Sequence, residues 1–354
     1  MILIRRYLWN AVLLPSLAVL AVLLALDGLF SFIDELGKLR ANYQVMQAMQ
    51  YVVTTMPRTA HEFLPMAVLL GTLLGLGVLA NSGELTIIRG SGTSPRRISW
   101  LVMRPAIVLL LVGMAVGEYV VPWSERIAQS NRAIAERGED ITYRSRSGFW
   151  HREGNEFIHI NAVQSNGVLH GVTRYRFHEN RTLAETQFIG RAIYQNESWF
   201  TEDISGTSLL EDSTVPYRQS TGVWESELTP ELLSIIVLSP ENLALTKIWG
   251  YAHYLQRQGL EAGEYLLSFW QKLFMPFATL GMVLIAISFI FGPLREVSMG
   301  LRLTTGIIAG MVFHYGQQFI GHVSLIFQMP PLLAAAVPAA VCLAVGIWLL
   351  GRIR

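Results

Sequence analysis

Cysteine is nearly missing from this chain: Cys342 is the only one in 354 residues, and it lies inside an apolar run near the C-terminus. No intramolecular disulfide can form, so any exported part must be held by packing alone. Charge is scarce as well. Asp, Glu, Lys and Arg make up 15% of the residues, against about 25% in an ordinary soluble domain. The net charge is +1, and no basic run marks a nucleic-acid surface. Nucleic acid is not an expected partner.

The signatures of catalysis are missing too. The one Gly-Lys pair is Gly37-Lys38. A phosphate-binding loop needs Ser or Thr next, where Leu39 stands, and a leading glycine, where Phe32 stands. No Gly-x-Ser-x-Gly elbow and no His-Glu-x-x-His helix occurs. His151, His159, His170 and His178 lack tight metal-ligand spacing and read as solvated side chains. Paired carboxylates inside apolar segments, as proton-driven carriers use, are not found; Asp27 and Glu118 sit near segment ends. The reading is no enzyme, no metal and no cofactor in this chain. If the protein does work, the energy enters from a partner.

What is present is two blocks of apolar segments around a long polar stretch. Segments near 7–26, 63–80 and 98–117 come first, and those near 265–291, 303–321 and 331–350 come last. Each approaches the ~20 residues needed to cross ~30 Å of hydrocarbon. The first is too long for a signal-peptide core, and no small-x-small site precedes Asp27, so it reads as a retained helix. The domains expected are 1–121 with three helices, 122–262 as a polar β-rich insert, and 263–354 with three more helices.

Arginine and lysine set the orientation. Arg5, Arg6, Arg89, Arg96, Arg97, Arg295, Arg302, Arg352 and Arg354 fall on one side, while Lys38, Arg40 and Arg58 fall on the poorer one. Both termini are therefore expected to be cytoplasmic and the insert external. Reading the arginines as interfacial anchors yields the same topology. Gly71-x3-Gly75 permits close helix approach, either within the bundle or between subunits. Arg104 can snorkel to the headgroups. The fifth segment is unusually polar in its outer half, with His314, Tyr315, Gln317, Gln318 and His322. Such groups face a bundle interior or a wet cavity.

Residues 124–138 read as an amphipathic helix containing Arg126, Arg132 and Arg137. From about 140 short β runs alternate with turns such as Asn166-Gly167, Glu179-Asn180 and Asn196-Glu197. Their spacing favours a sandwich or jelly roll. Trp150, Trp199 and Trp224 are candidate core anchors. A helical stretch over 241–262 leads back to the membrane.

The connection over 81–95 is the best place for a partner to push. Asn81 or Ser82 is expected to cap a short helix, with Leu85 and Ile88 on one apolar face and Glu84 and Arg89 offering charges. Such a helix either docks in a groove of a cytoplasmic partner or rests on lipid.

These residues resemble the LptF/LptG permeases of the lipopolysaccharide exporter, on the LptG side of the pair. The resemblance covers the whole chain. It is carried by 63–71 with Leu74-Gly75-Leu76-Gly77, by Ser82-x-Glu84-Leu85 with Ser91-Gly92, and by Gly117-Glu118 with Val121-Pro122. Its most distinctive part is Leu284-x3-Ser288 running on through Gly292-Pro293-Leu294-Arg295, with Met299-Gly300 and Thr305-Gly306.

The resemblance implies an α+β membrane protein, with six transmembrane helices and a periplasmic β-jelly roll between the third and fourth. It implies an inner-membrane ABC transporter in which this chain joins LptF, a dimer of the ATPase LptB that uses ATP and Mg, and LptC. LptA would be met indirectly, through the periplasmic bridge. Glu84 falls where the family meets its ATPase. Lys38 and Arg132 match basic residues that hold the lipopolysaccharide headgroup, with Arg40 and Arg126 nearby. The sequence departs from the pattern at Ser31, where relatives can carry lysine. Two other readings stay open. One is an export permease for another lipid or a lipoprotein. The other is a membrane-anchored scaffold or sensor with an external β-domain.

Overall fold

The computed structural model describes residues 2–39, 43–137, 149–163, 167–210, 213–230, 233, 239–257, 261–291 and 298–352. Arg40, Arg295, Arg354 and the Gly292-Pro293-Leu294-Arg295 run lie outside them. The chain forms two compact units. One holds residues 1–31, 55–122 and 240–354; the other holds 32–54 and 123–239. The edges differ from the expected divisions: 32–54 cluster with the sheet, and 240–262 with the helices.

The first unit is built from helices: α1 (Ile2–Leu36), α2 (Val45–Asn81), the short α3 (Glu84–Gly90) and α4 (Pro95–Ala115). A π-helical turn over Val116–Val120 leads from α4 into α5 (Val121–Arg137). Later come α6 (Leu245–Arg257), α7 (Gly263–Phe291), α8 (Met299–Ile326) and α9 (Pro331–Arg352). Residues 32–36 of α1, 45–54 of α2 and 123–137 of α5 belong to the second unit. Prolines inside the helices (Pro15, Pro57, Pro65, Pro105, Pro276 and Pro338) are tolerated where neighbouring helices satisfy the freed backbone. Ser94 caps α4, its hydroxyl accepting from the Arg97 N–H, with Pro95 at the first helical position.

Among the described residues, five helical stretches are long and apolar enough to cross a membrane: Leu3–Leu36, Val45–Asn81, Pro95–Arg132, Gly263–Phe291 and Pro331–Arg352. The chain is a multi-pass membrane protein. α8 has 28 residues, enough length, but the polar groups between 314 and 322 dilute its hydropathy. Three of those groups find partners along the helix itself. Gln318 meets His314 at 3.3 Å, and a His322 ring nitrogen lies 2.8 Å from the Gln318 carbonyl.

Packing in this unit depends on glycine. A Cβ on Gly71 would lie 2.2 Å from the Ser16 hydroxyl, and one on Gly75 only 1.6 Å from the Ala11 carbonyl oxygen. The Gly71-x3-Gly75 pair therefore serves the α1–α2 contact inside the bundle. Gly281 and Gly346 allow the same approach between α7 and α9. A core of leucine, valine and isoleucine fills the rest, from Leu8 and Val12 through Leu76 and Ile98 to Val283 and Ile287.

The second unit carries one antiparallel sheet: β1 (Phe149–Glu153), β2 (Glu156–Val163), β3 (Leu169–Phe177), β4 (Leu183–Gln195), β5 (Ser198–Leu209) and β6 (Thr214–Trp224). Its order is β1-β2-β3-β4-β5-β6, each described strand pairing with its neighbours in the chain. Asn196 and Glu197 both have positive φ, as a two-residue hairpin turn of the primed type requires. One face carries a cross-strand row of Ile160, Val172, Ile189 and Ile204. Towards the β1–β2 turn it becomes polar: Arg174 binds Glu156 at 2.6 Å and Gln187 at 2.8 Å, and Arg176 binds Glu156 at 2.6 Å. Trp199 is fully buried, donates to the Leu228 carbonyl at 2.7 Å and stacks on Trp224. Trp150 is 60% exposed, stacked on Tyr175, and is no core anchor.

Candidate functional site

Two groups of residues foreseen in the sequence have defined geometry, one in each unit. The first is α3, Glu84–Gly90. Its cap is neither Asn81 nor Ser82. Gly83 holds that position with φ 78°, and no side chain caps the helix. The left-handed backbone favours glycine, which lets α2 end and α3 begin within two residues.

The apolar face of α3 points inward. Leu85 is buried in the core of the helical unit, and Ile88 packs against that core. These two side chains seat the helix on the bundle. Ile87 and Thr86 face outward, and Ile87 is 72% exposed. Glu84 accepts a hydrogen bond from the Tyr7 hydroxyl of α1, and Arg89 lies over the Phe291 ring at the end of α7. The short helix is thus tied to α1 and α7. The seating of Leu85 and Ile88 leaves Ile87 as the apolar side chain that α3 turns outward. The sequence pattern had not singled out Ile87.

The second group gathers around Glu35, which is almost fully buried. Lys38 Nζ lies 2.9 Å from its Oε1, and Arg132 Nη1 lies 3.3 Å from the same oxygen. The Tyr43 hydroxyl donates to its Oε2 at 2.7 Å. Lys38 also pairs with Asp34. The Arg132 guanidinium lies 5.0 Å from the Tyr51 ring centre. The structure thus brings Lys38 and Arg132 to one carboxylate. Asp34, and then Glu35, hold the Lys38 ammonium charged beyond the ordinary lysine range. The two cations and two carboxylates cancel formally, so an incoming anion would meet a cluster already neutralised. A small polar cleft of about 20 Å³ opens beside Tyr43, Gln47, Tyr51, Asn131 and Arg132. That is room for about one water.

Arg126 is exposed. It stands six positions before Arg132, about 120° away around the helix. Arg40 lies outside the described residues. Glu35, the hub, was not expected as one. Its helical spacing to Lys38 was visible in the sequence, but its pairing with Arg132 spans distant segments.

The Gly117-Glu118 pair also acquires a role. The π-helical turn presents the Glu118 carboxylate to the start of α6, where it accepts from the Leu245 N–H at 2.6 Å and the Thr246 hydroxyl at 2.7 Å. A carboxylate there satisfies open N–H groups and complements the helix dipole. Lys272 of α7 donates to the Leu243 carbonyl just upstream, at 2.6 Å. Gly117 is small by necessity, because a Cβ would lie 2.7 Å from the His61 ring.

Residues 6–352 match a family model described as "Lipopolysaccharide export system permease LptF/LptG". The chain is 35% identical over 351 residues to the lipopolysaccharide export system permease protein LptG of Escherichia coli K12, covering 98% of this chain and 97% of that protein. It is 30% identical over 352 residues to the protein of the same name from Haemophilus influenzae, covering 99% and 98%.

Proposed function

The chain belongs to the LptF/LptG family of lipopolysaccharide export permeases, and from that premise we propose that it is the permease subunit of an ATP-driven lipopolysaccharide exporter. It lies in the inner membrane with six spans, α8 being the fifth. Both termini are cytoplasmic, and the sheet forms a periplasmic jelly roll. Its partners are LptF, an LptB dimer that hydrolyses ATP with Mg, and LptC. LptA is reached through the periplasmic bridge.

The observation that carries this reading is the family match over nearly the whole chain. The geometry supports a mechanism. ATP-driven closure of the partner dimer pushes on α3 through Ile87, with Glu84 and Arg89 flanking the contact. Because Leu85 seats α3 on the bundle core, the push enters the helices rather than bending a loop. The lipid cavity lies at the interface with LptF, where α1 meets the partner's fifth helix and α8 the partner's first. Lys38 and Arg132 exchange Glu35 for lipid phosphates, which are charge-assisted acceptors of the same kind. Arg40 and Arg126 lie on the approach. Nucleotide shifts the cavity only because its binding energy differs between open and closed states.

The test is purification of the intact membrane complex with identification of its proteins and lipid. An ATPase and lipopolysaccharide are expected. A different lipid or a lipoprotein would replace the cargo. Absence of any ATPase, with nucleotide hydrolysis independent of this chain, would favour a scaffold or sensor.

A further inference from the structure

Arg302 was expected in a cytoplasmic connection as a marker of orientation. The structure puts it inside α8, with no exposed surface. A snorkelling arginine keeps its guanidinium in water or among headgroups; this one does not. Its Nη1 donates to the Gly77 carbonyl of α2 at 2.9 Å. Gly77 stands four residues before the end of α2 at Asn81, and α3 begins at Glu84. A buried charge in a membrane helix is costly and marks function by default.

Its neighbours define a seam. Along α8, Gly306 and Gly310 follow Arg302 at intervals of four, so all three share one face. Opposite them on α2 stand Gly77, Leu73 and Leu69, also at intervals of four. A Cβ on Gly306 would come 2.3 Å from Leu73, and one on Gly310 would come 3.4 Å from Leu69. The two helices therefore run antiparallel in close register, with a charged bond at the end nearest α3. Glycines allow the approach but hold nothing in place along the axis. A directional hydrogen bond does.

We propose that Arg302 is the positioning residue that locks α8 to the α3 end of α2, so that displacement of α3 is carried into α8. The proposal rests on the reading of α3 as the coupling helix. It assigns Arg302 no contact with lipid or ATPase. Its effect is to keep the α2–α8 seam in one register while the bundle moves.

The experiment uses the full complex in proteoliposomes, with ATP hydrolysis and lipopolysaccharide release to an acceptor measured on the same samples. Arg302→Met nearly keeps the side-chain length and removes both the charge and the bond to the Gly77 carbonyl. Arg302→Gln keeps donors without charge, and Arg302→Lys keeps charge on a shorter reach. The expected result is near-normal hydrolysis and melting temperature in the Met and Gln variants, with transport per ATP reduced roughly 2- to 30-fold. Arg302→Lys should recover part of it. Wild-type transport per ATP in the Met and Gln variants would overturn the proposal. So would parallel loss of both activities with a lowered melting temperature, which is the signature of a merely structural arginine. A wild-type complex that hydrolyses ATP without moving lipopolysaccharide would overturn the functional reading itself, and that failure is visible in the control alone.

Discussion

The helical unit and the sheet unit cohere by opposite means. In the helical unit, backbones approach one another through missing side chains: Gly75 against Ala11, Gly281 against Cys342. Its helices satisfy their own backbone, and what remains is close contact between smooth surfaces. In the sheet unit, large side chains fill the interior. Trp199, Trp224 and the Ile160–Ile204 row form the core, and charged ladders close the edge around Glu156. In one unit, a methyl added at Gly75 or Gly281 would strike backbone. The other tolerates no lost ring in its centre. The difference follows from the surroundings: lipid offers no hydrophobic drive to press helices together, whereas water presses the sheet around its aromatic residues.

Changes that exchange these requirements should damage one unit and spare the other. Trp199→Ala should have the largest effect, destabilising the sheet by about 3–5 kcal/mol. Limited proteolysis of the detergent-purified chain should then cut within 149–224 while leaving the helices intact. Simultaneous loss of both units would break the contrast.

Gly75→Ala comes next, costing about 1–3 kcal/mol or more by overpacking against a backbone that cannot move aside. Its mark should be a lowered melting temperature of the helical unit with the sheet protected from protease. Gly206→Ala is the matched control in the sheet. There the added methyl meets the far end of the Tyr217 side chain, whose hydroxyl donates to Glu185; a side chain can give where a backbone cannot, so a smaller loss is expected. Equal losses would show that close backbone approach is not what distinguishes the helical seams.

The smallest effect concerns pH. Burial pushes the Glu156 carboxyl up, but Arg174 and Arg176 outweigh it and hold the group below its ordinary range. The folded sheet therefore binds fewer protons at this site than the unfolded chain. The stability it contributes is complete above the unfolded carboxylate value, near 4.3, and is lost as pH falls through the lower folded value. His151, which the sequence pattern suggests is solvated, is half-buried, and this burial lowers it, so its contribution starts to fade as pH drops below about 6.5. Melting curves of the sheet from pH 7 to pH 3 should show this loss, and Glu156→Gln should flatten its acid limb. An unchanged acid limb in that variant would remove the ion-pair account.

Much of this architecture was legible in the residues because hydropathy reports immersion and turn residues report chain reversal. The long apolar helices and the β runs lie where those signals put them, and the amphipathic helix read over 124–138 is observed as Val121–Arg137. Hydropathy failed where a helix leaves the apolar layer. α2 begins at Val45, well before the apolar run at 63, because apolar residues interrupted by Gln47, Gln50, Thr54, Thr55 and Arg58 carry the helix on. It failed again at Arg302, since counting a charge says nothing about what the charge binds. The α3 cap was missed because it lies in a backbone conformation at Gly83 rather than in a side chain. The convergence of Lys38 and Arg132 was foreseen as a shared role, but Glu35 as their meeting point was not, because pairing across distant segments leaves no local pattern. Trp150 and Trp199 carry the same side chain; only strand register separates the exposed ring from the buried one.

The central claim is that α3, seated by Leu85 and presenting Ile87, receives the push of an ATPase. A photoreactive amino acid in place of Ile87 tests it most directly, irradiated in intact membranes and resolved by mass spectrometry. The account predicts a nucleotide-sensitive crosslink to the copurifying ATPase. Crosslinks to lipid alone, unchanged by nucleotide, would contradict it and leave α3 an interfacial helix.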